Sequence, residues 1–396
     1  MVRKLLVRSG AHFSGLLLVK LFSTALFIFF ARVLEPEIFG KFSYFMIVIS
    51  LLTLIFDWGL IQWFQVHWSK DKEQELICKS AQARLVTLLV AMVIFAVYVS
   101  MFRVFSFLEL TIGLLLLIPE ALTSIVDAYY LVHKQPIYIA LKQLSKYFAP
   151  FLLLLFFAHS LTLFQIYASF LLSSLFTLFW YIPSQYYTLR RCSFHELQKV
   201  LSESSAYASL IVTSAVYSRG DAMILESKLG HSALGLYSAA YRYLDAVSLL
   251  PNTIGQNLFH LSAQSGSMTR RQIGMLTLLM GITGVVTAGV LWVLSALLTK
   301  GLLGDAYASS QEIVKVFSLV TIVLFVNSPL STIVQSSRLI KQFLPWGIAN
   351  TVVNLGLNVL IVPIAGGIGA AWVMLGTECT GLLINLYFVH LKLRQT

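Results

Sequence analysis

The sequence predicts an all-α polytopic membrane protein, with twelve transmembrane helices in two parallel six-helix bundles around a central cleft. Three observations predict it. Of 396 residues, 58% are hydrophobic and only 11% are Asp, Glu, Lys or Arg, less than half the charged fraction of an ordinary soluble domain. Apolar windows of about twenty residues, the length that crosses a bilayer core, recur along the whole chain. A motif near residue 34 returns near residue 229. The composition excludes a soluble globular enzyme, a disordered chain and a fibrous one, which need more charge, less apolar content or a strict short repeat.

The first span, 11–32, follows Arg3, Lys4 and Arg8. Its apolar run exceeds the roughly 7 to 15 residues of a signal-peptide core and no small-residue cleavage site follows, so it reads as a retained helix. Further spans are expected at 39–62, 81–102, 108–131, 137–158 and 161–182, then at 205–227, 233–259, 273–298, 309–332, 343–364 and 367–390. Residues 1–200 then form an N-terminal six-helix bundle and 201–396 a C-terminal one. Pro36, Pro136, Pro251 and Pro363 stand in or near turns or at helix ends, where a missing N–H is tolerated. The polar stretches 63–80 and 184–203 are too short to fold as domains, so no catalytic head group is expected.

Twelve spans put both termini on one side, and the basic residues test that register. Lys and Arg number 28 against 17 acids, a net charge of +11. In a soluble protein this would suggest nucleic acid, but here the basic residues cluster between apolar stretches and orient the chain in an anionic membrane. On the side of the N-terminus lie Arg3, Lys4, Arg8, Lys70, Lys72, Lys79, Arg84, Lys134, Arg190, Arg191, Lys199, Arg270, Arg271, Arg338, Lys341, Lys392 and Arg394. Opposite lie only Arg32, Lys41, Arg103, Lys228 and Lys300. The excess puts both termini in the cytoplasm. Cys78, Cys192 and Cys379 are too few and too scattered for a disulfide framework or a metal site, and no cofactor is expected.

Leu34-Glu-Pro-Glu-Ile-Phe-Gly40-Lys-Phe42-Ser43 aligns with Leu229-Gly-His-Ser-Ala-Leu-Gly235-Leu-Tyr237-Ser238. The two copies are separated by six spans, an even number, so they share one orientation, and the halves are expected to be parallel repeats.

Further motifs are Ala31-Arg-Val-Leu-Glu-Pro-Glu-Ile-Phe-Gly-Lys-Phe-Ser43 followed by Asp57-Trp-Gly-Leu60, and Ser218-Arg-Gly-Asp221 followed by Leu234-Gly-Leu-Tyr-Ser-Ala-Ala-Tyr-Arg242. Late in the chain come Asn354-Leu-Gly-Leu-Asn358, Pro363 and Gly366-Gly-Ile-Gly-Ala-Ala371. With these the chain resembles the polysaccharide-export and O-antigen flippase branch of the multidrug/oligosaccharidyl-lipid/polysaccharide exporter superfamily. The resemblance implies a flippase of the bacterial inner membrane, not an enzyme. It would move undecaprenyl-diphosphate-linked oligosaccharide from the cytoplasmic to the periplasmic leaflet by alternating access, in contact with membrane lipids and beside a polysaccharide polymerase and a chain-length regulator. Twelve spans fit O-antigen flippases better than the fourteen-span flippases of the peptidoglycan precursor. The alternative is a drug/cation antiporter of the same superfamily, which predicts a cleft of acids and aromatics.

A charge inside lipid costs at least about 2.5 kcal/mol on insertion scales, so each needs a partner, water or a role. Lys20, Lys142, Lys146, Arg219, Arg242 and Lys315 fall within spans. Lys20 lies ~15 Å into the first span, Arg219 ~20 Å into the seventh and Arg242 ~14 Å into the eighth. All three are expected to line a cationic cleft for the substrate diphosphate. Structural alternatives stand beside that reading: Asp221 and Glu226 share a helix with Arg219, and Asp245 is three residues from Arg242.

Around the turn His133-Lys-Gln-Pro136, Asp127 and Lys142 lie at equal depth and can form a salt bridge. Lys146, one turn deeper with no acid at matching depth, is then the better anion contact. Lys315 pairs with Glu312 at the interface. Asp57 is read as a cap or gate at the cytoplasmic end. Glu120, Asp245 and Glu378 lie deep enough to serve proton or sodium coupling; Asp245 reads as a counter-ion, and both roles stay open for the other two. Asn350, Asn354 and Asn358 form one polar stripe, read as interhelical bonding or, at Asn354, sugar contact. Trp58, Trp63 and Trp68 are expected in an aromatic belt. His12, His159 and His260 have no motif around them and default to packing.

Overall fold

A computed structural model describes residues 2–69, 71, 73–133, 135–157, 161–182, 192–255, 269–335, 337 and 339–395. Lys70, Lys72, Lys134, His159, Arg190, Arg191, His260 and Arg338 lie outside them. Among the described residues every regular element is helical. The order is α1 Val2–Val33, α2 Pro36–Asp57, α3 Leu60–His67, α4 Glu73–Phe102, α5 Phe107–Val132, α6 Pro136–Ser145, α7 Phe148–Phe157 and α8 Leu163–Tyr181. Then follow α9 Phe194–Val247, α10 249–255, α11 Arg270–Ala296, α12 Ser310–Gln335 and α13 Ile340–Gln395. Eight helical stretches among the described residues are long and apolar enough to cross a membrane.

Local chemistry explains where these helices start and stop. Ser106, Thr162 and Thr269 open α5, α8 and α11 with capping boxes completed by Glu109, Gln165 and Gln272, so the first orphan amides are bonded before the chain enters lipid. Proline removes the amide that would reach the carbonyl four residues earlier. Pro150 deprives Lys146, and the expected fifth span breaks there into α6 and α7; Pro251 deprives Val247, where α9 ends. An amide freed at the first break is recovered by Ser173 Oγ, which accepts from Ala149 N at 2.9 Å.

Two long helices are each folded back by a glycine. The apolar stretch Gln342–Arg394 has 53 residues, about 80 Å of helix against a core of about 30 Å. Gly366, at φ 59° and ψ −147°, breaks it between the two expected spans. Gly230, at φ 79° and ψ −175°, does the same in α9, in a region of backbone space essentially reserved for glycine.

By contact the chain forms two compact units: residues 1–9, 27–44 and 217–396, and residues 10–26 and 45–216. In the second unit Trp63, Phe64, Ile77, Val126 and Tyr181 centre the core. In the first, Phe27, Phe30, Phe39, Phe42 and Tyr307 pack edge to face or tilted, and Ile333, Val334 and Phe388 form another cluster. Lipid is as apolar as these side chains, so close packing and interhelical hydrogen bonds hold them.

Two expectations are corrected. Arg84, counted above with the cytoplasmic loop charges, is inside α4 and fully buried. Trp63, expected in the aromatic belt, is instead buried at 3% exposure, and the indole N–H groups donate to Leu201 O (Trp58, 3.2 Å), Glu203 Oε2 (Trp63, 2.9 Å) and Glu73 Oε2 (Trp68, 3.1 Å). Each ties its segment to neighbouring chain, because polar backbone and carboxylates lay within reach of the indoles.

Candidate functional site

In the second unit α5 carries Glu120, Ser124 and Asp127 at helical spacing on one face. Three ion pairs meet that face or adjoin it. Arg84 Nη2 of α4 contacts Asp57 Oδ1 at 2.6 Å and a second guanidinium nitrogen donates to Ser124 Oγ. Asp57 is therefore the buried partner of Arg84. Lys142 Nζ of α6 contacts Asp127 Oδ2 at 2.7 Å, the hairpin pair expected from equal depth. Tyr181 OH donates to the other oxygen, Asp127 Oδ1, at 2.5 Å, and its ring lies 5.3 Å from the ammonium.

Lys146 differs from its expectation: it pairs with Glu120. Counting depth from the turn missed this acid, because a lysine side chain reaches across the offset of one helical turn and Lys146 caps the broken end of α6. The three pairs differ in cover. The side chains of Arg84 and Lys142 are 2% and 3% exposed, whereas Lys146 and Glu120 are each 24% exposed. Lys20 belongs to the same unit and is half-buried in α1.

In the first unit the charges are held differently. Arg219 of α9 lies over Tyr241, 5.0 Å from the ring centroid, and Arg242 over Phe27 at 3.6 Å. A ring holds a guanidinium by its face, so the N–H edge is the part that meets oxygen acceptors. Asp221 accepts from Tyr237 OH, and Glu226 Oε1 meets His231 Nδ1 at 2.7 Å. Lys315 pairs with Glu312 at 2.7 Å, as expected.

Glu378 of α13 is buried and bonded by neutral donors: Tyr217 OH at 3.0 Å and Asn327 Nδ2 at 2.7 Å. Asn385 Nδ2 donates on to Asn327 Oδ1 at 2.6 Å. Two members of the asparagine stripe join the two arms of α13: Asn350 donates to Thr377 O at 3.1 Å and Asn354 to Thr377 Oγ1 at 2.9 Å, while Asn358 donates within its own arm to Asn354 O at 2.9 Å. In this conformation Asn354 spends its amide on Thr377. Among the described residues no group of three or more His, Cys, Asp or Glu gathers as a metal site.

Residues 6–265, about two thirds of the chain, match the family described as "Polysaccharide biosynthesis protein". The chain belongs to that family.

The fold resembles solved structures of transporters and a flippase. It is similar to "Lipid II flippase MurJ, inward closed conformation", with a TM-score of 0.74 and 13% identity over 96% of this chain and 87% of that one. An inward-facing multidrug resistance MATE family transporter follows at TM-score 0.68, 10% identity and 95% of each chain. A superfamily transporter from Pyrococcus furiosus gives TM-score 0.60 and 12% identity over 99% of this chain and 96% of that one. No curated protein matches the sequence. Those three structures are a flippase and two transporters.

The sequence-predicted Lys142, Lys146, Glu120 and Asp127 come together on α5 and α6. Sequence reasoning missed Arg84 with Ser124, and Tyr217, Asn327 and Thr377 around Glu378. Arg84 carried one signal: it is a lone Arg inside a strongly apolar window, which demands a partner. Pro150 was the corresponding signal for the break at Lys146.

Proposed function

We propose that this protein is a flippase. It translocates undecaprenyl-diphosphate-linked oligosaccharide, an O-antigen or similar repeat unit, from the cytoplasmic to the periplasmic leaflet of a bacterial inner membrane. Twelve spans in two six-helix bundles, 1–200 and 201–396, with both termini cytoplasmic, would serve alternating access. The observation that carries the reading is that a polysaccharide biosynthesis family member holds Arg219 by a ring face and Lys146 part-exposed within its spans. Lys20 and Lys146, and separately Arg219 and Arg242, are cations suited to a diphosphate; Lys142 adds its charge from within the pair with Asp127, and Asn354 gives a sugar contact once released from Thr377. Glu120, Asp127 and Asp245 act as counter-ions. A polysaccharide polymerase and a chain-length regulator are the expected partners on the product side.

A drug/cation antiporter is the second reading, and one observation favours it: Glu378, bonded only by neutral donors among the described residues, is suited to a cation or proton. In the flippase reading the same carboxylate couples transport to protons or sodium. The deciding experiment expresses Lys20→Ala and Arg219→Ala at normal levels in a strain lacking the gene. Each is expected to lower surface polysaccharide at least about tenfold, the scale of one lost charged contact. Full complementation by both overturns the cationic site. Export of organic cations, with surface polysaccharide untouched, establishes the antiporter instead.

A further inference from the structure

Among the three buried ion pairs of the second unit, two are closed and one is open. Asp57 shares its Arg84 with Ser124, and Asp127 has Tyr181 besides Lys142. The Lys146–Glu120 pair differs in cover: both of its side chains are 24% exposed, against 2% and 12% for Arg84 and Asp57 and 3% and 17% for Lys142 and Asp127. An exposed face of such a pair is too costly to leave against hydrocarbon, so it faces water or a polar cavity. The cation also stands where α6 is broken, and Ser173 Oγ on the facing helix α8 already holds the freed Ala149 amide. This pair can therefore open without unbonding a helix.

We propose that Lys146 and Glu120 form an exchangeable anion site in which a phosphodiester displaces the Glu120 carboxylate and Glu120 takes up a proton. The proposal rests on the flippase reading. Its balance is simple. The ion pair plus a phosphodiester anion plus one proton, given up by a buffer acid that becomes its conjugate base, becomes a Lys146 ammonium paired with the phosphodiester and a neutral Glu120 carboxylic acid. One O–H bond forms at Glu120 and no covalent bond to phosphorus changes.

The proton is needed because the surroundings offer no substitute cation in contact. Lys142 of α6 is held by Asp127, and Arg84 of α4 by Asp57 and Ser124. Asp127, two turns along α5, adds like charge, and α8 presents Tyr181 to Asp127, not to Glu120. A carboxylate stripped of its partner inside a membrane binds a proton more cheaply than it stays charged. One consequence concerns transport: each cycle moves one negative charge fewer than the substrate itself carries.

The test uses the purified full-length chain in detergent and farnesyl-diphospho-N-acetylglucosamine, whose phosphates are both esterified and keep a fixed charge near neutrality. Binding is followed calorimetrically in buffers of different ionisation enthalpy, which reports protons taken up. The wild type is expected to take up about one proton per ligand. Glu120→Gln is expected to bind as tightly or tighter with uptake near zero, and Lys146→Gln to weaken binding at least about tenfold. Should Glu120→Gln not fold, infrared difference spectra of the wild type serve, with a protonated-carboxyl band expected on binding. Binding without proton uptake, uptake that survives Glu120→Gln, or no such band overturns the exchange and leaves the flippase reading standing. No binding by the wild type overturns the flippase reading itself.

Discussion

Gly40 and Gly235 lie backbone to backbone. A Cβ on Gly40 would stand 1.8 Å from His231 O, and one on Gly235 would stand 1.9 Å from Pro36 O. The contact is reciprocal in the repeat: Gly40 aligns with Gly235, and Pro36 with His231. Contacts that exchange i for j in this way mark a local two-fold relation. The two copies of one motif thus meet each other, and each needs glycine for the other's carbonyl.

Gly40→Ala and Gly235→Ala should therefore destabilise the protein, each by more than the roughly 1 to 3 kcal/mol of ordinary overpacking, since rigid backbone must move. Thermal unfolding of the purified protein checks this. Unchanged midpoints for both variants would show that the helices separate at no cost.

Removing one partner of the Arg84–Asp57 pair leaves a buried charge, so Asp57→Asn or Arg84→Met alone should cost about 3 to 5 kcal/mol, while Asp57→Leu with Arg84→Met should recover most of it. A double-mutant cycle on unfolding measures the coupling. Strictly additive losses would mean that the pair does not act as a unit.

For Glu378, Glu378→Gln keeps the size and one acceptor oxygen for Asn327, its NH2 can donate to Tyr217 OH while that hydroxyl turns its proton to Thr377 Oγ1, and the titrating group is removed. Folding should be preserved, and transport in proteoliposomes should lose its response to an imposed proton or sodium gradient, slowing about tenfold or more. A variant as gradient-sensitive as the wild type would assign Glu378 to structure.

Pro150→Ala restores the amide that can reach Lys146 O, favouring one continuous helix over 136–157 by up to about 3 kcal/mol. Stability should hold or rise while transport falls, because the break positions Lys146. Equal transport with a straightened helix, seen by spin-label distances across 140 and 155, would separate the break from function.

At the start of α9, outside the spans, the Ser193 amide first and the Lys79 ammonium next hold the Glu196 carboxyl down, from 4.5 to about 2. A depressed acid contributes above its ordinary value and is lost as pH falls through the shifted one. Protection of the first turn of α9 should therefore persist above pH 4.5 and decline from there toward 2. Hydrogen exchange compared with Glu196→Gln reads the step, and an identical profile in both would discard it.

Membrane class, the periodic apolar runs and the mid-chain repeat were legible in the sequence because each depends on neighbours along the chain. Pro and Gly act on their own backbone, so the breaks at Lys146, Gly230 and Gly366 were in principle legible as well. Charge placement was only half so. The Asp127–Lys142 pair follows from hairpin arithmetic, since one turn joins the two helices.

Glu120 with Lys146, Arg84 with Asp57, and Glu378 with Tyr217 and Asn327 follow from no such arithmetic. They depend on side-chain reach and on which helix faces which, across separations as large as 161 residues. Composition alone requires that each intramembrane charge find a partner, because lipid supplies none. Which partner it finds, and whether that partner is a second charge, a ring face or a neutral amide, is set by packing in three dimensions.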